Sequence, residues 1–292
     1  MVKAVACDRE GGIVVGYSSS FRLPGQASVA TPAVSGDTVL GRRPNGAWIS
    51  SARTIAGGRW RGPARIFLNR NGTDLGPERF GGVGRARTLS IADSFAVRFG
   101  NLLADGRVLL AAGWQPSQSP SRVENMPWAF FAWDFVTATA SPMTAAIEST
   151  ATVNQNRVQA IAGSADGAHL VVATHDGETL YVARFEAGAS RPARLVMLRS
   201  PGAASALAVS GDGETIAIGS ESRGRDSPAH AWLIDAAGKV AWSSAFEKTV
   251  IGVHFVPGPI LVVAGAEARA GRVPLPPATA TGRGRGSPAA GG

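Results

Sequence analysis

The sequence predicts an all-β fold assembled from repeated antiparallel strand pairs, and three observations carry that prediction. Residues 158–174 (VQAIAGSADGAHLVVAT) and 204–220 (ASALAVSGDGETIAIGS) are two versions of one phrase. At an offset of 46 residues they share Ala160/Ala206, Ala162/Ala208, Ser164/Ser210, Asp166/Asp212 and Gly167/Gly213. Apolar alternation bounded by glycine runs through most of the chain, and no stretch sustains helical apolar spacing for long. The third observation is the period itself: self-similarity every ~40–50 residues marks one supersecondary unit copied around or along a fold.

The unit is a strand, an Asp-Gly turn and a second strand. Asp-Gly and Gly-Gly supply the positive-φ positions that a tight hairpin requires. Residues 3–17 offer the first copy, with Gly11-Gly12 expected in the turn. Residues 94–114 (SFAVRFGNLLADGRVLLAAGW) place Asp105-Gly106 where the clear copies place Asp166-Gly167 and Asp212-Gly213. Residues 249–265 offer a fifth copy, with Pro257-Gly258 in the turn. The five units start near residues 2, 94, 158, 204 and 249.

Further strands follow the units. Residues 230–246 (HAWLIDAAGKVAWSSAF) and 64–80 (ARIFLNRNGTDLGPERF) read as hairpins, with Gly238 aligned on Gly72. Residues 179–198 give strand, loop and strand, and residues 128–134 (WAFFAWD) give the equivalent strand in the second unit. Two hairpins per unit make a four-stranded antiparallel blade, so the expected architecture is a β-propeller of about five recognisable blades over residues 1–265. The excess length sits in residues 21–54 and 115–127, rich in Ser, Pro, Gly and Arg and read as loop insertions. Within the first, DTVLGRR and GAWISSART offer an alternative reading as another strand pair. Residues 266–292 are Pro, Gly, Ala and Arg with almost no large apolar side chain, the composition of a disordered tail. No closing strand is recognisable, so the propeller reads as incomplete; a complete but irregular one is the alternative.

Two phrases carry a family resemblance. ALAVSGDGETIAIGS (206–220) resembles the strand pair LAVSPDGKTLAVGS shared by WD and YVTN repeats. LIDAAGKVAWSS (233–244) resembles the LDAATGKVLWS segment of quinoprotein-like repeats that bind pyrroloquinoline quinone. The resemblance spans residues 94–265 well and 2–80 weakly. It implies the fold and hardly constrains function. No unit carries the Gly-His…Trp-Asp pair of a WD repeat; Trp133-Asp134 is the one Trp-Asp dipeptide. The quinoprotein-like segment occurs once with its tryptophan, Trp242.

The formal charge of +8 raises the question of an acidic partner. Lys3, Lys239 and Lys248 are the only lysines among 29 basic residues, and the arginines are mostly scattered. Small clusters at Arg59/Arg61/Arg65 and Arg85/Arg87 are not interleaved with stacking aromatics, so nucleic acid is not the expected partner. Cys7 is the single cysteine and lies in an apolar strand, where a buried inert thiol is expected. Residues 1–12 lack a long apolar segment, so no signal peptide or membrane span is expected in the chain as it stands. The compartment stays open.

No catalytic constellation is readable. Asp105, Asp166 and Asp212 recur at one structural position and could line a Ca²⁺-binding rim, but each also builds its own Asp-Gly turn, which is the simpler reading. His169 and His175 would share one face of a strand; isolated strand histidines are the expectation. Gly81–Gly84 is not followed by a phosphate-cradling Lys-Ser/Thr. Trp48 and Trp60, with Arg59, Arg61 and Trp114, are candidate anchors for a partner. The expected function is therefore a non-catalytic binding platform that engages a protein partner through its loop insertions and needs no cofactor. The alternative is a quinoprotein- or lactonase-like enzyme using the central channel, with bound Ca²⁺ or pyrroloquinoline quinone.

Overall fold

The computed structural model describes the side chains of residues 98, 100–113, 127–134, 137, 139–155, 157–224 and 226–255, together with the backbone of the strands given below. The first sheet is β1 (Val2–Asp8), β2 (Gly11–Gly16) and β3 (Ser20–Arg22). Next come β4 (Thr38–Arg42), β5 (Trp48–Ala52), the short hairpin β6 (Ile55–Ala56) and β7 (Arg59–Trp60), then β8 (Arg65–Arg70) and β9 (Thr73–Asp74). β4, β5, β8 and β9 pair in that order as a second sheet. The third is β10 (Ser94–Leu102), β11 (Val108–Trp114), β12 (Trp128–Asp134) and β13 (Thr139–Pro142). The fourth is β14 (Val158–Gly163), β15 (His169–Asp176), β16 (Thr179–Glu186) and β17 (Arg194–Arg199). The fifth is β18 (Ala204–Val209), β19 (Ile216–Ser220), β20 (Ala229–Ile234) and β21 (Val240–Phe246). β22 (Val250–Val256), β23 (Ile260–Gly265) and β24 (Ala270–Pro274) form the sixth.

Five of these sheets are sequential antiparallel meanders, as short turns dictate, while in the second β5 pairs with β8 across the β6–β7 hairpin. The first strands of the six sheets are neighbours in the order β1, β4, β10, β14, β18, β22, and β22 stands beside β1.

Three sequence expectations are corrected. Residues 21–54 are not one loop insertion: β4 and β5 form the strand pair that was the alternative reading, and Ile49–Leu68 and Ser51–Ile66 pairings seat it on β8. Their five-residue length, broken by Gly41 and two serines, left little alternation to read; pairing to the apolar β8 supplies the order. Gly11 lies in β2 opposite Asp8 rather than in the turn. The tail reading gives way over Ala270–Pro274, where Val273 pairs with Leu261 and β24 satisfies the edge of the apolar β23. Residues 275–292 and 115–126 lie outside the described residues.

The core is a series of seams between facing sheets. In β15 five consecutive residues, Leu170 to Thr174, are buried, because both faces of the strand are covered. Val172, Ala183 and Phe185 face the third sheet, against Leu109, Trp128 and Phe130. Val171, Ala173 and Val182 face the fifth, against Ile216, Ile218 and Trp232. Ala217, Ala231 and Leu233 continue the pattern onto Val250 and Val253. Phe130 and Phe185 meet edge-on at 5.8 Å, with Trp128 edge-on to Phe185 at 6.1 Å. Such pairs add about 0.5–1.5 kcal/mol beyond the area they bury.

Residues 143–155 are a structured connection that closes the outer part of the first of these seams. Ile147 exchanges backbone bonds with Trp128 (3.1 and 2.7 Å), the Gly188 amide donates to Met143 O at 2.7 Å, and the Thr174 hydroxyl donates to Thr152 O. Ile147 and Val153 are buried as a result. Among the described residues the one helical element is the 3-10 turn Gln155–Arg157, and no helix is long and apolar enough to cross a membrane.

Candidate functional site

Two turns of the repeat are built identically. The Ser164 hydroxyl donates to Asp166 Oδ1 at 2.6 Å and accepts from the His169 amide at 3.0 Å, while Asp166 Oδ1 accepts from the Ala168 amide at 3.0 Å. In the next sheet the Ser210 hydroxyl donates to Asp212 Oδ1 at 2.5 Å and accepts from Thr215 N at 2.9 Å, and Glu214 N donates to Asp212 at 3.0 Å. Gly167 and Gly213 both have φ +74°, a value that a side chain disfavours. The third copy substitutes an arginine for the serine's role. Arg107 N donates to Asp105 Oδ1 at 2.9 Å, and its guanidinium holds Oδ2 at 2.7 Å, with Gly106 at φ 85°.

These turns are joined sheet to sheet, which the sequence reading did not expect. Ala104 N donates to Ala165 O at 2.8 Å, and the Asn101 amide bridges Gly163 N and O at 2.7 and 3.0 Å. At the following seam, Arg184 of β16 reaches the neighbouring turn: its Nη1 donates to Gly213 O at 3.0 Å and to Glu214 at 3.2 Å. The same guanidinium binds Glu186 at 2.9 Å, and His169 Nδ1 lies 2.8 Å from the other Glu186 oxygen. The His169 ring rests on Gly213; a Cβ there would come within 1.9 Å of His169 Cδ2.

The electrostatics follow from these partners. Donation by the Ser164 hydroxyl, then by the Ala168 amide, holds the Asp166 carboxyl below its usual range; Ser210 and the Glu214 amide do the same for Asp212. Burial alone would raise Glu186, but Arg184 and His169 outweigh it and hold it low. Burial likewise opposes the Arg184 charge, and its bonds to Glu186 and Glu214 overcome that and push it higher. The carboxylates are therefore charged and committed to local donors. Among the described residues, no group of three or more His, Cys, Asp or Glu stands close enough to hold a metal ion.

Arg184 was not singled out from the sequence. Its signal was there: a charged side chain between Ala183 and Phe185 in a mostly apolar strand, with Glu186 two residues on and on the same face. His169 and His175 sit at opposite ends of β15 with different partners, Glu186 and, at 3.1 Å, Ser200 O. The partner-anchor candidates fall on three strands. Trp48 opens β5 opposite Asn69; Arg59 and Trp60 form β7 opposite Ala56 and Ile55; Trp114 closes β11 opposite Ser94. Their side chains, and Arg61 altogether, lie outside the described residues.

The arrangement of sheets has counterparts among solved structures. Kuenenia stuttgartiensis hydrazine synthase is 13% identical, with 94% of this chain and 84% of that one covered at a TM-score of 0.50. The fold is a β-propeller. A TolB-type protein of Agrobacterium tumefaciens is also 13% identical, covering 86% of this chain and 84% of that one at a TM-score of 0.49. The Dos1 propeller is 10% identical at a TM-score of 0.38, and this chain spans 56% of its length. At such identities the likeness concerns the propeller fold alone. No family model matches the sequence, and no curated protein matches it significantly. In propeller terms the six sheets are blades, and Arg184, Asn101 and the Asp-Gly turns are ties between adjacent blades.

Proposed function

We propose that this propeller is a non-catalytic binding platform for a protein partner, working without a cofactor. One observation carries the reading. The large apolar side chains exposed among the described residues, Leu195, Met197 and Val240, all lie on β17 and β21, the outermost strands of two adjacent blades. A solvent-facing apolar set on a rigid frame is what a recognition surface requires. The frame is rigid because its charged groups tie blade to blade. The connection 115–126 between β11 and β12 is proposed as a further recognition element, with Trp114 at its start.

A thermal melt of the full chain by circular dichroism, with and without Ca²⁺ and pyrroloquinoline quinone, tests the reading. A single cooperative transition with an unchanged midpoint is expected. A midpoint raised by either ligand would make the quinoprotein-like enzyme the better reading, because a ligand that binds only the native state must stabilise it.

A further inference from the structure

We propose that the outer edge of β17 receives an extended, acidic–apolar segment of a partner protein as an additional antiparallel strand. This rests on the platform reading and adds the position and chemistry of the contact.

The backbone geometry comes first. Among the described residues β17 is the last strand of its sheet and pairs only with β16. The Ser200 amide donates to Glu178 O at 2.8 Å, flanking the Thr179–Arg199 pair. In an antiparallel ladder this makes Thr179–Arg199 a pair whose own amide and carbonyl groups point away from each other. Alternation then directs the N–H and C=O of Leu198 and Val196 to β16, and those of Arg199, Met197 and Leu195 outward. The outward backbone groups therefore belong to the residues with the outward side chains. Met197 is 68% exposed and Leu195 42%, and Arg199 is exposed beside them.

An incoming strand would hydrogen-bond to these three residues and lay its own alternate side chains directly opposite theirs. Leu195 and Met197 then face apolar side chains, and Arg199 faces a carboxylate. Among the described residues neither Arg199 nor Arg191 is paired with an acid.

Charge selects a partner over a second copy. Two β17 edges paired about Met197 would set each Arg199 against Leu195 and leave both guanidinium groups without a carboxylate. The chain also carries +8, so two copies repel. Charged edge residues discourage self-pairing in this way, while the same arginine favours an acidic segment. Antiparallel to β17, the matching segment reads acidic–x–apolar–x–apolar.

The test uses the full chain and a synthetic peptide, Thr-Glu-Thr-Val-Thr-Val-Thr, with its Lys-for-Glu version as control. Binding is followed by amide NMR. Peptide should shift and protect the amides of Leu195, Met197 and Arg199 while leaving those of Val196 and Leu198, already bonded to β16, nearly unmoved. The Lys version should bind about five- to tenfold more weakly. Arg199→Glu should reverse that preference. Met197→Pro removes one outward donor without touching the β16 ladder, so it should keep the melting midpoint and lose binding; if it unfolds the blade, the Arg199→Glu reversal still decides. Peptide bound without protection of these three amides would overturn the edge site and leave the platform reading standing. No binding of either peptide would overturn it too. Concentration-dependent dimerisation that protects the same amides would replace the partner by a second copy.

Discussion

Gly213 shows how one residue serves two levels of structure. Its φ of +74° lets the Asp212 turn close, and its missing Cβ lets the His169 ring of the neighbouring blade rest against it. Gly177 has a similar φ of +65° but nothing within 4 Å of a would-be Cβ. The pair separates backbone strain from crowding. Gly177→Ala should cost about 1–2 kcal/mol, the price of a left-handed alanine. Gly213→Ala should lose about 1–3 kcal/mol more, because His169 must move. Urea unfolding midpoints of the two variants check this; equal losses would mean that the blade contact at His169 contributes nothing. The Asp-Gly turn could be read from sequence, since it depends on two adjacent residues. The His169 contact could not, since it joins positions 44 apart in the chain and in different blades.

At the scale of the element, β16 is an apolar strand that carries its own fastener. Arg184 is held between Ala183 and Phe185, its side chain only 10% exposed, and its guanidinium reaches the next blade's Gly213 O and Glu214. Removing it would leave partly buried acceptors unsatisfied. Arg184→Met is expected to lose roughly 2–3 kcal/mol in denaturant unfolding, the range for charge-assisted hydrogen bonds in such a setting. Arg184→Lys keeps the charge but not the fork that serves three acceptors at once, and should recover only part of the loss. Full recovery with lysine would sink the bridging role and leave a simple charge effect. The strands β10, β14, β15, β18 and β19 were legible because each is apolar and flanks an Asp-Gly turn. β4, β5 and β24 were harder: they are weakly patterned and flank no Asp-Gly turn, and pairing with the apolar β8 and β23 orders them.

For the whole molecule, carboxylates bonded within their own blades make stability depend on acid. Asp166, Asp212 and Glu186 all have carboxyls held below their usual range in the folded chain. The unfolded chain therefore binds more protons as the solution is acidified. The stabilisation is fully present above the ordinary carboxylate range, near pH ~4. It is lost as pH falls through the lower folded values. Unfolding midpoints measured from neutral pH down to pH ~3 should drop, and the Asp166→Asn, Asp212→Asn double variant should show a shallower drop. An unchanged slope in that variant would mean that the turn carboxylates are not the linked groups. Added protons also raise a net charge that already stands at +8, which works in the same direction.

By itself the sequence determined the all-β class, the two-strand repeat and the Asp-Gly turns, because these follow from alternation and from the conformational freedom of glycine over a few adjacent residues. The Ser164/Ser210 match even carried the hydroxyl that orders each turn. Tertiary structure alone decided which blades touch, that Arg184 and His169 join two of them, and that β17 turns Leu195, Met197 and Arg199 outward with their backbone groups. Those facts depend on register and on packing between distant segments. A one-residue slip would move every side chain of β17 to the opposite face, and nothing local in RLVMLR fixes that choice.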